Sequence, residues 1–187
     1  MNAPTPQTDA TPLRSVDWYD SPVGPLIACA TNEALRGLSF CDPDELPERL
    51  RVLRERHAAT LHEGSNAVLD QLRIELREYF AGQRRNFTVP LGVFGNGSGS
   101  PFQERVWAAL CEIPYGQTWS YLQLAIHIGD AMATRAVGYA NGANPIAIVI
   151  PCHRVINADG GDGGYGGGLW RKRILLDLER GQGSLAL

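Results

Sequence analysis

The chain has 187 residues, 44% hydrophobic and 20% charged, with a net charge of −3. That length suits one ordinary domain or two small ones with a core that needs no staples, and the acidic balance excludes a protein that coats nucleic acid through bulk charge, leaving room only for a small local DNA-binding surface. No apolar run approaches the ~18 residues of a membrane-spanning segment, and residues 1–13 lack the basic and apolar stretches of a secretory signal, so they read as a disordered leader on a cytoplasmic protein.

From Ser15 to Phe40 the chain alternates short β-prone runs (around Val16–Tyr19, Leu26–Ala28 and Leu35–Phe40) with turn signals at Asp20-Ser21-Pro22 and Thr31-Asn32-Glu33. Residues 44–57 and 65–81 read as helices. In the second, Leu69, Leu72, Leu76, Tyr79 and Phe80 recur at spacings of three and four, and Gly82 is a plausible C-cap. Residues 91–100, LGVFGNGSGS, read as a linker. The expected organisation is therefore α+β. An amino-terminal unit, residues 14–90, holds a small antiparallel sheet with helices. A mostly helical unit, residues 101–187, follows.

In the second unit Gln103–Glu112 is a short amphipathic helix broken by Pro114-Tyr115-Gly116. Ser120 is an N-cap for a helix over Tyr121–Ile128, ended by Gly129. A tight turn leads to a second helix over Ala133–Ala140, which makes a helix-turn-helix candidate. That second helix carries Ala133, Ala136, Gly138 and Ala140 and one charge, Arg135. A base-reading major-groove helix would carry several Arg, Asn or Gln, so this one suits a narrower groove with one cationic side chain to insert. The bland alternative is a close helix–helix contact. The run IAIVI, Ile146–Ile150, reads as a buried strand ended by Pro151. A last helix spans Leu169–Arg180.

The chemistry-bearing residues follow that run. Among Cys29, Cys41, Cys111 and Cys152 there is no C-x-x-C pair and no histidine at zinc-finger spacing, so no metal is expected and the thiols are free. Cys29, Cys41 and Cys111 sit in apolar surroundings and read as small buried hydrophobes. Cys152 differs because His153 and Arg154 adjoin it and could favour the nucleophilic thiolate. Adjacent side chains on an extended chain point apart, so His153 acts on Cys152 only if the chain turns there or a water bridges them. A histidine base needs an orienting carboxylate; Asp177 and Glu179 on the last helix are both candidates. The stretch ADGGDGGYGGG, residues 158–168, contains G-x-G-x-x-G but does not open from a strand, which weakens a nucleotide reading. It reads better as a mobile loop whose bare backbone lies against a planar ligand, with Tyr165 as its aromatic.

The segment IVIPCHRVI, residues 148–156, resembles the active-site signature of the O6-alkylguanine-DNA alkyltransferases. FQERVWAAL (102–110), IPYGQTWSY (113–121), RAVGYANGANP (135–145) and GYGGGLWRKRILLDLE (164–179) fall in that family's order, and DSPVGPL (20–26) and LREYFAG (76–82) look like its amino-terminal domain. The resemblance covers roughly residues 15–180. It implies DNA repair by direct reversal: irreversible, single-turnover transfer of an alkyl group from O6 of guanine, and also O4 of thymine, to Cys152 after the base rotates out of the duplex. It implies that His153 deprotonates Cys152 through a water, that Glu179 orients His153, and that Asn144 braces the turn carrying the cysteine. Tyr121 would assist rotation and donate a proton toward the leaving guanine. Arg135 would fill the gap in the duplex, with Ala133, Thr134, Ala136 and Gly138 forming the minor-groove face. Tyr165 and the Gly166 backbone would cover the guanine, and the Val155 carbonyl would receive its amino group. The implied partner is double-stranded DNA bound through the minor groove by a protein monomeric in solution, with cooperative assembly on DNA left open and no cofactor or membrane involved. Gly166 stands where some relatives carry serine, which removes one side-chain contact. Cys152 separates the chain from the branch that carries tryptophan there and binds lesions without repairing them. The competing readings are a non-catalytic lesion-recognition module, a regulator whose cysteine senses alkylation, and a turnover cysteine hydrolase.

Overall fold

The computed structural model describes residues 13–57, 60–95 and 98–181. The expected leader lies outside these residues except for Leu13, which opens the first strand. Strands β1 (Leu13–Tyr19), β2 (Leu26–Ala30) and β3 (Leu35–Phe40) form the expected antiparallel meander. A fourth strand, β4 (Thr60–Glu63), pairs with β1 in parallel, so the sheet order is β3-β2-β1-β4. It is short and mostly exposed, which is why its sequence carries no apolar alternation.

Helix α1 (Leu46–His57) follows a 3-10 turn at Pro43–Glu45, and α2 (Ala67–Phe80) is capped by Asn66, whose side chain accepts from the Leu69 N–H at 3.0 Å. Gly82, at φ 72°, ends α2 in the left-handed conformation that glycine adopts without a Cβ penalty. The two helices cover opposite faces of the sheet. Ile27 and Cys29 join Val16, Cys41 and Leu53 in one cluster, while Leu26, Ala28 and Ala30 join Leu69, Leu72 and Leu76 in the main core. Alternate residues of β2 thus enter two cores, so LIACA is buried at every position.

The main core continues into the second half through Trp107, Leu110, Val137 and Leu175. The chain reaches it along the Gly/Ser-rich segment, part of which is anchored. The Leu35 N–H donates to the Pro90 carbonyl, the Gly92 N–H donates to the Leu35 carbonyl, and Val93 is buried. Helix α3 (Pro101–Cys111) starts with a Ser100–Gln103 capping box, and the Trp107 indole N–H donates to the Ala140 carbonyl at 2.9 Å. Cys111, expected inside, is exposed. It follows Leu110, so one further residue turns it off the face that buries Val106, Trp107 and Leu110.

Ser120 caps α4 (Tyr121–His127) through a capping box with Gln123. A 3-10 turn at Ala131–Ala133 leads into α5 (Thr134–Gly142), so Ala133 is the residue before the helix and Asn141-Gly142 are its last residues. Two-residue strands β5 (Trp119–Ser120) and β6 (Val155–Ile156) pair in parallel, and α6 (Leu169–Glu179) closes the described chain.

The run Ile146–Ile150 is buried as expected but is not a strand. It forms a tight turn, with the Val149 N–H donating to Ala147, the Ile150 N–H to Ile146, and Ile148 at φ 70°. A β-branched residue at positive φ costs about 1–3 kcal/mol and persists only where its surroundings over-determine it. Here Leu38 clamps the turn's base, its N–H donating to the Pro145 carbonyl and its carbonyl accepting from the Ala147 N–H. Asn144 spans the turn, its Nδ2 donating to the Ile150 carbonyl at 2.8 Å and its Oδ1 accepting from the Ile146 N–H at 3.0 Å. Apolar periodicity reports burial, and burial is satisfied equally by a strand or a packed turn.

Candidate active site

The Asn144-braced turn delivers Cys152 to the first residue of a 3-10 turn, Cys152–Arg154, held by a Cys152 N–H bond to the Ile150 carbonyl at 2.8 Å. Cys152 is 6% exposed and lies on the wall of a cleft of about 340 Å³. The walls come from distant parts of the chain: Phe40 and Arg49, Tyr121, Gly138 and Asn141, and Gly164–Gly167. Burial pushes the Cys152 thiol above its ordinary value, while the Asn144 amide, the Lys172 ammonium and the Tyr165 hydroxyl act in the opposite direction. The resting group is therefore a thiol that needs a base.

The 3-10 turn points His153 away from solvent, behind Cys152. Its Nε2 lies 2.8 Å from Glu179 Oε1, and its Nδ1 is buried with no hydrogen-bond partner among the described residues. Burial lowers the His153 pKa from the ordinary 6.5, against the pull of Glu179, so the ring is neutral. Because Glu179 accepts, the proton is assigned to Nε2, which leaves the Nδ1 lone pair as the basic site. Glu179 also accepts from Tyr79 Oη at 2.8 Å, from Arg154 Nη2 at 3.0 Å and Nε at 2.8 Å, and from the Gly116 N–H at 3.1 Å. Burial alone would raise this carboxyl; the bonds from His153 and Arg154 outweigh it and hold the group well below the usual carboxylate range. Glu179 is thus a fixed anion aimed at His153.

Tyr121 faces Cys152 across the cleft. Its hydroxyl donates to the Gly164 carbonyl at 3.4 Å, and burial and Cys152 raise its pKa, which keeps the phenol protonated. Gly138 of α5 lies against the Tyr121 ring, where an added Cβ would make an ordinary contact at 3.8 Å. The Tyr165 hydroxyl is buried near Cys152 without meeting hydrogen-bond geometry.

Two family profiles cover the chain. One, described as 6-O-methylguanine DNA methyltransferase, DNA binding domain, matches residues 101–181; the other, the ribonuclease-like domain of the same methyltransferase, matches residues 16–93. A methylated-DNA–protein-cysteine methyltransferase of Mycobacterium leprae is 44% identical over 87% of this chain and 90% of its own. The chain belongs to the O6-alkylguanine-DNA alkyltransferase family. An inducible Bacillus subtilis member is 45% identical over 78% of this chain and 80% of its own. The fold of this alkyltransferase matches a crystal structure of Mycobacterium tuberculosis O6-methylguanine methyltransferase with TM-score 0.76, at 42% identity over 91% of this chain and 94% of that one. It also matches the Mycobacterium tuberculosis OGT in complex with DNA, with TM-score 0.73 at 43% identity over 90% and 94%.

Within the alkyltransferase site, the expected residues fall into two groups. Cys152, Tyr121, Asn144, Gly138, Tyr165 and Gly166 line the cleft, and His153 and Glu179 stand behind Cys152. Arg135, Ala133, Thr134 and Ala136 lie off the cleft wall on or beside α5, with Arg135 and Ala136 exposed. Val155 is buried off the cleft, and its carbonyl accepts from Lys172 Nζ at 2.6 Å. The expectation that His153 and Arg154 electrostatically favour the thiolate is corrected: both turn to Glu179. Lys172 is the cation that acts on Cys152. Its Nζ also donates to the Asp162 carbonyl, which ties the glycine loop to β6. Lys172 is the chain's only lysine, the one signal that could have drawn notice to it. Phe40 and Arg49 were not anticipated, because nothing local links the sheet unit to the cleft. Among the described residues no three His, Cys, Asp or Glu side chains form a metal site, and no helix is long and apolar enough to cross a membrane.

Proposed function

We propose that the protein repairs alkylated DNA in the cytoplasm, taking the alkyl group from O6 of guanine, and from O4 of thymine, onto Cys152 once and irreversibly. The observation that carries this reading is a buried thiol on a cleft wall with a neutral histidine behind it and a locked carboxylate behind the histidine. A base within a duplex hides its O6 substituent, so it must rotate into the cleft first. His153 Nδ1 takes the Cys152 proton through one water while Glu179 stabilises the charge on the ring. The sulfur attacks the alkyl carbon, the carbon–oxygen bond breaks, and the departing guanine is stabilised by a proton from Tyr121. Tyr165 and the Gly166 backbone cover the base, and the Val155 carbonyl receives its amino group. Binding is through the minor groove by Ala133, Thr134, Ala136 and Gly138, and the protein acts as a monomer of two units, residues 14–90 and 101–187. Stoichiometric transfer of a labelled methyl group to Cys152 tests the reading; turnover, or no transfer, overturns it.

A neutral histidine base makes a pH prediction. The single-turnover rate should be flat from neutral pH down to about 6.5, because His153 titrates below that value. It should fall only as the ring protonates at lower pH. The same shift acts on stability: the unfolded chain binds the His153 proton first, so the native state loses stability as pH falls below 6.5. A rate that instead rises about tenfold per pH unit above neutrality would mean a free thiolate equilibrium, with no base role for His153.

Arg135→Ala should slow repair of a lesion held in a duplex by about a hundredfold, because rotating a paired base out costs a few kcal/mol that the inserted side chain offsets. The loss should be much smaller on the free modified base, which needs no rotation. Equal losses on both substrates would remove Arg135 from the duplex.

A further inference from the structure

The face around Arg135 also carries two large apolar side chains. Met132 is 93% exposed and Tyr139 is 79% exposed, the two highest values among the exposed large hydrophobic residues. Met132 lies three residues before Arg135 and Tyr139 four after it, so the three project from one side of α5 and its lead-in turn, with Arg135 in the middle. Tyr139 stands about 6 Å along the helix axis from Arg135. Gly138 and Gly142, one residue before and three after Tyr139, both line the cleft, and Gly142 is also exposed, so this row borders the mouth of the cleft. Neither Met132 nor Tyr139 joins a hydrophobic cluster of the described residues.

Charge sharpens the point. Between Tyr121 and Gly142 the only formal charges are Asp130 and Arg135, which cancel. A neutral element gains little from phosphate electrostatics, so its grip on DNA needs another source. Minor-groove proteins supply one by pressing apolar side chains against the groove and between base steps.

We propose that Met132 and Tyr139 are apolar DNA contacts bracketing Arg135, and that they carry much of the salt-independent affinity of this face. The inference rests on the function proposed above. The Tyr139 ring, not its hydroxyl, makes the contact.

The test is equilibrium binding of the full chain to a short duplex carrying one O6-methylguanine, measured across salt concentrations. Met132→Ala and Tyr139→Ala should each weaken binding by about tenfold, the scale of one large apolar side chain withdrawn from water. The dependence of affinity on salt should not change, and Tyr139→Phe should bind as the wild type does. Both sites are exposed, so melting temperatures should also hold. The inference is overturned if the alanine variants bind like the wild type, if either has a shallower salt dependence, if Tyr139→Phe is as weak as Tyr139→Ala, or if either alanine variant melts lower. Wild-type protein that does not bind the duplex overturns the proposed function itself; wild-type binding with unaffected variants overturns only this inference.

Discussion

Cys152→Ala is expected to abolish methyl transfer while leaving the protein folded and able to bind O6-methylguanine DNA. The thiol makes the new bond and no other group on the cleft wall can replace it. Tyr121 stays protonated, because burial and Cys152 raise its pKa. Cys29 and Cys41 are buried in the cluster on the far side of the sheet, and Cys111 is on the outside of α3. The Cys152 side chain is small, so its truncation costs about 1 kcal/mol of stability, well within what a domain of this size tolerates. The backbone that shapes the cleft is held independently, by Asn144 on the Ile150 carbonyl and by Asn141 Nδ2 on the Cys152 carbonyl at 3.4 Å. Mass spectrometry after incubation with methylated duplex should show one methyl group on the wild type and none on the variant, and a binding assay should show comparable affinity. Methyl transfer to the variant would mean that another residue is the acceptor.

Glu179→Gln is expected to damage both chemistry and stability. The carboxylate is buried and accepts from His153, Tyr79, Arg154 and Gly116 at once. A neutral amide presents one oxygen instead of two and leaves the Arg154 guanidinium, also buried, without a counter-charge. Removing one member of a buried ion pair costs about 3–5 kcal/mol. Losing the group that fixes the histidine tautomer costs a further large factor in rate, of order a hundredfold or more, as it does in nucleophile–base–orienter sites generally. Denaturant melts measure the first effect, and single-turnover rates taken well below the unfolding midpoint measure the second. A variant that keeps wild-type stability and wild-type rate would reduce Glu179 to a bystander.

Elements built from local interactions are legible in the residues: the capped helix after Ser120, the apolar spacing of α2 with Gly82 after it, and the meander of β1 to β3 between its turns. Capping and amphipathic periodicity act within a few residues, so a single sequence records them. The resemblance added Cys152, His153 and Glu179 as a set, and the choice of Glu179 over Asp177 came from it alone. Tertiary structure decided what depends on partners far along the chain. Ile146–Ile150 is a strained turn because β3 and Asn144 clamp it, not because its residues prefer one. His153 and Arg154 turn inward because Glu179, Tyr79 and Ile113 meet them there, with Arg154 Nη1 donating to the Ile113 carbonyl at 2.6 Å. Lys172, Phe40 and Arg49 reach the cleft through long-range packing that leaves no local trace. Met132 and Tyr139 carry no exposed signature in sequence either: an apolar side chain reads as core until the fold leaves it nothing to pack against.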